Sequence, residues 1–410
     1  MSLSETRPDD WAYLSEGGAT IVFSYAGAPN PAFDGKVLRV RKRPINVDDA
    51  EEHAEDEDPS VVFHQCVIER IVPSEYLVRP EPLVPPPTEW LQDLAGAADV
   101  SRPAERRYKD TVDVKTPRLA LATDLVGGEG VAVEIKPKWG FLPSPEYLSD
   151  ETRPVKTRTC RFCMHTHMRA KDGEAVSEEY CPLDLYSGDK TRMRMALDAL
   201  WQAWSRSHGT VNNLRVFVKG QKLQPDAVSP VSPSGVDILT QLQPQLIADV
   251  LNPNADPKNA LISALSSALL QSRVLEELSS LQRRLDALDV EGLQAICDLS
   301  SPGPEPTISD WTAWLVEHAG ERDPTTPRHH ALSYLLSATF KDCSIIVRIP
   351  PPSSTSTATV TIIDLDVKSI DRLHKWAKLD RKIVEAYMEV PEAERRVCVD
   401  ARRSTSLESV

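Results

Sequence analysis

The chain has 410 residues, 41% hydrophobic and 26% charged, an ordinary globular composition with length enough for one large two-lobed unit or about two to three domains. Its net charge of -14 excludes non-specific binding to nucleic acid, so any polyanion it takes must meet cations gathered in one place. No apolar run approaches a membrane span, and seven cysteines are too sparse for a disulfide scaffold.

The opening MSLSETRPDDWAYL lacks a basic region followed by an apolar stretch, so no secretory leader is expected and a reducing compartment is the default. ATIVFSYAG then reads as a strand, NPAFDG as a turn, and KVLRVRK as a second strand with Arg39 and Arg41 on one face. Gly17 and Gly18 stand ahead of these strands, where backbone amides can approach a phosphate; a plain hairpin turn is the other reading. The acidic run NVDDAEEHAEDEDPS reads as a solvated loop or helix face, and VVFHQCVIERIV as helix or strand. After a proline-rich connector comes a short helix, TEWLQDLAG. RLALATDLVGGEGVAVEIKPK holds two apolar runs, Leu119 to Val126 and Val131 to Ile135, and is expected to form a strand pair around its glycines.

Beyond residue 190 the pattern turns helical, first in DKTRMRMALDALWQAWSRS. NNLRVFVKG reads as a strand closed by glycine. From Pro257 to about Leu299 a leucine-rich helical pair fits core packing alone. SYLLSATFKDCSIIVRI runs into a buried strand, TATVTIIDLDVKS is another strand, and DRLHKWAKLDRKIVEAYMEV is a final helix. Strands crowd the first third and helices the rest, which predicts an α+β protein with a sheet-rich lobe and a larger helical lobe.

Several positions have the residue types that chemistry needs. Lys136 and Lys138 close an apolar strand beside Glu134, and two ammonium groups placed there call for an anion. Asp364 and Asp366 end a β-branched strand, where a carboxylate suits magnesium. Lys368 and Arg372 would share a face if that segment turns helical. Asp342 precedes a buried strand and could orient or deprotonate a hydroxyl, a turn or capping aspartate being the plainer reading. Cys160 and Cys163 have zinc-knuckle spacing, with His165 or His167 and Cys181 completing a tetrahedron; reduced structural cysteines are the alternative. The chain lacks Gly-x-Ser-x-Gly, Walker A and Gly-x-Gly-x-x-Gly sequences, which sets aside serine hydrolases and dinucleotide dehydrogenases.

EIKPKWGFLP, RFCMH, YCPLDLYSG, NNLRVFVKG, KDCS and IDLDVK occur in that order, and together they resemble the inositol-pentakisphosphate 2-kinase family from about Trp11 to Tyr387. The resemblance implies a fold distantly related to protein kinases, with an N-lobe at 1–124 and a C-lobe at 125–410 enlarged by helices for the inositide. It implies ATP-dependent phosphorylation of the axial 2-hydroxyl of inositol 1,3,4,5,6-pentakisphosphate, with Mg2+. Such a substrate carries about eight or more negative charges, which explains the strand-end lysines. By resemblance, Lys136 sits near the transferred phosphoryl group, and Lys138, Arg169, Asn212, Lys368 and Arg372 hold substrate phosphates. Arg106 reaches across a cleft to the substrate, with Arg43 in a similar role. Gly17, Gly18 and Ala19 form the phosphate loop, Arg39 and Arg215 touch ATP phosphates, Thr123 and Asp124 lie at the adenine hinge, Asp364 holds magnesium, and Asp342 positions the 2-hydroxyl. A structural Zn2+ on Cys160, Cys163, His165 and Cys181 rests on spacing alone. The expected partners are inositol pentakisphosphate and ATP, with no nucleic acid and no membrane, for a monomer of nucleus or cytoplasm. The other reading is a non-catalytic pseudokinase that binds inositol polyphosphates, distinguished by binding without transfer.

Overall fold

The structure, a computed structural model, describes residues 3–17, 20–45, 59–116, 119–225, 238–247, 256–318 and 326–402. Its contacts divide the chain into two units, Met1–Asp56 with Val78–Glu129 and Phe217–Gln221, and Glu57–Leu77 with Gly130–Val216 and Lys222–Val410. The division after Glu129 lies a few residues beyond the expected 124, and Glu57–Leu77 belongs to the second unit although it interrupts the first in sequence.

The first unit is built on an antiparallel sheet. Trp11–Glu16 (β1), Thr20–Tyr25 (β2), Lys36–Pro44 (β3), Glu81–Leu83 (β4), Asp110–Val112 (β5) and Leu119–Thr123 (β6) run in the order β1-β2-β3-β6-β4, with β5 on the far end of β3. Alternation puts Ile21, Phe23, Leu38, Val40, Leu119 and Leu121 on one face. The helix Thr88–Asp99 covers that face with Leu91, Leu94 and Ala98, spaced for a single stripe. Trp11 packs edge-on against Phe33 at 5.6 Å.

The second unit holds another sheet. Val131–Ile135 (β7), Leu214–Val218 (β8), Gln221–Lys222 (β9), Ser344–Ile349 (β10) and Thr359–Ile363 (β11) take the order β11-β10-β7-β8-β9, so β7 is central. All five residues of β7 are buried, as an apolar run without alternation requires. The strands expected at NNLRVFVKG, SIIVRI and TATVTIID are thus present, within an α+β fold whose larger part is mostly helical. The expected pairing of β6 with β7 does not form: β6 pairs with β3 and β4, β7 with β10. The turn between them is held open locally. Asp124 Oδ1 accepts the N–H groups of Val126 and Gly127, and Gly130 (φ 92°) lies so near Ile349 that a Cβ would meet its carbonyl at 2.3 Å.

Around this second sheet stand the helices. Pro59–Phe63, His64–Ile68 and Glu69–Ile71 run on as one helical segment, which decides between the two readings of VVFHQCVIERIV. The leucine-rich stretch is three helices, not two: Pro257–Ser272, Val274–Leu285 and Asp289–Ile296, broken first at left-handed Arg273. Pro327–Asp342 leads into β10, and Arg372–Met388 is followed by the short turn Glu392–Glu394. No described helix is long and apolar enough to cross a membrane.

Candidate active site

Because β7 is buried to its end, the residues after Ile135 emerge where the apolar layer stops. Ile135 lies opposite Ile345 on β10, and Ser344 lies opposite Ile363 on β11. Three chain segments remote in sequence thus end together: Lys136 to Lys138, Asp342 to Ser344, and Asp364. The Lys136 N–H donates to the Asn213 carbonyl at 3.0 Å, and the Asn213 amide donates back to the Lys136 carbonyl at 3.4 Å.

One cluster forms around Ser344, which is fully buried. Lys136 Nζ donates to its hydroxyl at 2.9 Å and to Asp364 Oδ2 at 3.3 Å. The hydroxyl has one proton for two acceptors, Glu134 Oε1 and Asp364 Oδ2, each 3.0 Å away. Glu134 is 6% exposed and is compensated by Arg215, whose Nη1 reaches its two oxygens at 3.1 and 2.9 Å. A buried carboxylate without that guanidinium would cost several kcal/mol, so Arg215 is bound to the strand-end lysine through a continuous polar chain.

The second cluster is a carboxylate between two ammonium groups. Asp342 Oδ1 accepts from Lys138 Nζ at 3.2 Å, and Oδ2 from Lys368 Nζ at 3.1 Å. Burial pushes the Asp342 carboxyl up, but the two lysines outweigh it and hold it below its ordinary range. Asp342 closes the helix Pro327–Asp342, where the dipole also disfavours negative charge, so the two lysines are what keep it there. An N-capping role is thereby excluded.

Lys138 itself is left-handed, with φ 64°, at a cost of about 1–2 kcal/mol for a residue with a Cβ. Buried neighbours enforce it. Tyr180 donates to the Pro137 carbonyl at 2.9 Å, and Tyr186 and Gln282 Nε2 donate to the Lys138 carbonyl at 3.3 and 3.0 Å. Gln282 Oε1 accepts the Gly140 N–H at 2.7 Å, and a Cβ on Gly140 would meet the Tyr186 ring at 2.9 Å. Further cations lie near. Burial, and then the charges of Arg161, Arg169 and Lys138, push His165 down to about 4, so its ring stays neutral beside a cationic field.

In the first unit, Gly17 donates to the Thr20 carbonyl in the β1–β2 turn, and Gly18 and Ala19 lie outside the described residues. Arg39 projects, exposed, from the middle of β3, paired between Val22 and Ala120. Beside the turn, Glu16 is held by Lys42 at 2.9 Å and by Arg102, itself 3% exposed, at 2.9 Å. Burial raises the Glu16 carboxyl, but Arg102 and Lys42 bring it below its usual value.

Set beside known proteins, residues 13–382 match the family model described as inositol-pentakisphosphate 2-kinase. The chain belongs to that family. It is 34% identical to the inositol-pentakisphosphate 2-kinase of Cryptococcus neoformans, over 94% of this chain and 95% of the relative. It is 28% identical to that of Arabidopsis thaliana and 25% to that of Danio rerio, each over 96% of both chains. The chain is therefore a kinase of inositol phosphate metabolism.

With the family in hand, the expected residues divide by what the fold does with them. Lys136, Lys138, Asp342, Asp364, Lys368 and Arg215 come together at the strand ends. Arg169 lies near the end of the helix Arg161–Lys171, paired with Glu174 at 2.6 Å. Asn212 is exposed on the turn before β8, while its neighbour Asn213 brackets Lys136. Arg372 is exposed at the first position of its helix; Lys368 precedes that helix on irregular chain, so the shared helical face is not formed. Arg43 is on β3 opposite Thr111, and Arg106 is exposed on Ala104–Arg107. Thr123 ends β6, while Asp124 is buried and accepts from Ser24 Oγ at 2.5 Å.

Sequence spacing missed several participants. Glu134, Ser344, Tyr180 and Tyr186 support the lysines from the core; they lie inside EIKPK, KDCS and YCPLDLYSG but had no role assigned, and nothing local marks Gln282, which joins them. The cysteine proposal needs a correction in its fourth member: Cys160, Cys163, Cys181 and Cys398 bring their sulfurs together, and His165 is not among them. At about 100° per residue, His165 points some 200° around the helix from Cys163, toward Arg161 and Arg169 instead.

Proposed function

We propose that the chain transfers the γ-phosphoryl group of ATP to the axial 2-hydroxyl of inositol 1,3,4,5,6-pentakisphosphate, giving the hexakisphosphate. The observation that carries this is the Lys138–Asp342–Lys368 bridge beside the Lys136–Asp364 pair. Phosphoryl transfer needs in-line placement and neutralisation of charge more than covalent help. Lys136 supplies a fixed ammonium toward the transferred group. Lys138 and Lys368, with Arg169 and Arg372, take acceptor phosphates; Asn212 adds a neutral donor. As those phosphates draw the lysines, Asp342 is left facing the hydroxyl as the ionised acceptor that orients it and receives its proton.

Arg39 and Arg215 are the proposed contacts for nucleotide phosphates, with the Gly17–Ala19 turn, and Thr123 and Asp124 form the adenine hinge. Arg43 and Arg106 are the first unit's proposed phosphate contacts. The residues present fit Mg2+: the Asp364 carboxylate is half exposed, and its hydrogen bonds all fall on Oδ2. Bound there, magnesium would supply charge neutralisation to the nucleotide phosphates.

The test is direct. Purified chain with Mg2+, ATP and inositol 1,3,4,5,6-pentakisphosphate is expected to yield hexakisphosphate resolved by anion exchange. Asp342→Asn and Lys136→Ala are expected to lower kcat by about a hundredfold or more. Tight inositide binding without any transfer would refute the proposal.

A further inference from the structure

Beneath the Lys138–Asp342 pair lies another ammonium that the chemistry above does not use. Lys341 immediately precedes Asp342 at the end of the helix Pro327–Asp342 and is only 2% exposed. Its Nζ donates to Asp286 Oδ2. Three rings wall it in. The ammonium lies 4.8 Å from the centroid of Tyr334, 5.3 Å from that of Phe141 and 5.9 Å from that of Trp139, all within cation–π range. The rings come from two segments. Tyr334 is seven residues back on the same helix, so at about 100° per residue it falls on the face of Lys341. Trp139 and Phe141 follow Lys138 on the strand-end loop. Trp139 also carries the Arg161 guanidinium 4.8 Å from its ring centre, and Arg161 Nε is held by Asp380 at 2.7 Å.

A buried ion pair is a weak source of stability, because desolvation offsets most of its Coulomb attraction and apolar side chains of the same volume pack as well. This pair bears that cost. Burial pushes the Asp286 carboxyl up to about 6 and the Lys341 ammonium down, and Asp286 Oδ1 has no hydrogen-bond partner among the described residues. What the pair supplies, and apolar side chains do not, is direction: the ammonium has to meet a carboxylate and several ring faces at once. We propose that Lys341 is a positioning residue for phosphoryl transfer, its caged ammonium bracing the last turn of its helix against the loop 138–141 so that Lys138 and Asp342 meet at a set distance. The inference rests on the roles proposed above for Lys138 and Asp342.

Two contacts therefore tie the same two segments, and they are neighbours in sequence on both. Lys138 meets Asp342 at 3.2 Å, while Trp139 and Phe141 meet Lys341 in the core. Asp342 stands about 100° around the helix from Lys341, so holding the Lys341 side chain fixes the rotation of that turn and the direction of the carboxylate. On the loop, holding Trp139 and Phe141 on either side of Gly140 limits the freedom of left-handed Lys138. Without the brace both groups keep their chemistry and lose their register, and a misplacement of about 1 Å is enough to lower a rate about a hundredfold.

Lys341→Met alone would leave Asp286 charged and buried, so the variant to make is Lys341→Met with Asp286→Asn, which removes both charges and keeps both volumes. It is expected to melt close to the parent, yet to lose about tenfold or more in kcat and to raise the KM for inositol pentakisphosphate severalfold, with the KM for ATP unchanged. A crystal structure of this variant should show the Lys138–Asp342 contact opened beyond hydrogen-bond reach. Phe141→Leu takes away one wall and leaves both charges; it should give the same split in smaller measure, and it decides the matter if the double variant does not fold. A role in stability alone predicts a different pattern, with kcat following the folded fraction and both KM values intact. Parent-like kcat and inositide KM in the folded double variant, a KM for ATP raised as much as that for inositide, or an unchanged Lys138–Asp342 contact would each overturn the inference. If the unaltered chain binds inositide without transferring phosphate, the proposed function fails instead, and the variant's crystal structure alone decides the brace.

Discussion

Gln282 offers the most searching test of how the core sets the lysines. It is fully buried on the helix Val274–Leu285 and spends its whole side chain on three backbone sites. Oε1 takes the Gly140 N–H at 2.7 Å; Nε2 donates to Lys138 O and Phe340 O, both at 3.0 Å, and lies 3.2 Å from the Tyr186 hydroxyl. Gln282→Leu keeps the volume and removes every one of these bonds. The Lys138 carbonyl still has Tyr186, but the Gly140 N–H and the Phe340 carbonyl lose their amide partner. At about 1–3 kcal/mol for each of these two buried groups, the change should cost about 2–6 kcal/mol. For a unit of this size that is a melting point lower by about 4–15 °C. Because the lost bonds hold the left-handed Lys138, the surviving folded enzyme should show a raised KM for inositide and a smaller change in KM for nucleotide. Calorimetry and initial rates on the same preparation measure both. A melting point within a degree of the parent, with unchanged KM for inositide, would show that the loop is set by something else.

Other expectations concern charge. Lys138→Ala and Lys368→Ala should each raise the KM for inositide, and the double change should be less than additive because both lysines share Asp342, as double-mutant kinetics would show. Asp364→Asn should raise the magnesium concentration needed for half-maximal rate, whereas equal magnesium dependence would remove Asp364 from that role. His165 is displaced downward to about 4, so the fold favours its neutral form. The stability it contributes is therefore present above the ordinary histidine range near 6.5 and is lost as pH falls toward 4. Its ring protons, followed by NMR against His165→Asn, should titrate near that low value, and added inositol polyphosphate should move the titration upward by offsetting Arg161, Arg169 and Lys138. An unshifted titration would separate His165 from the proposed phosphate site.

Much of the secondary structure was legible because its signals are local. The alternation around Phe23 and Leu38, the stripe of Leu91 and Leu94, and the apolar run of Val131–Ile135 each report burial over a few residues. The β6–β7 pairing was misread for a related reason. Two apolar runs around glycines look the same whether they form a hairpin or pass into different sheets, and here Asp124 and the contact of Gly130 with Ile349 choose the latter. The leucine-rich stretch hid Gln282, since one polar residue in an apolar stripe gives no hint of the loop it will hold.

Resemblance of its motifs to a known family pointed to a kinase, while residue pattern alone determined an α+β chain, acidic overall yet with lysines closing a buried strand. Those properties follow from residue type and short spacing, which the chain carries without folding. Only the tertiary structure decided that Asp342 stands between Lys138 and Lys368, that Ser344 joins Glu134 to Asp364, and that the fourth cysteine is Cys398. Each of those contacts links positions far apart along the backbone. Strand register and helix packing bring them within 4.8 Å, and no local pattern encodes that distance.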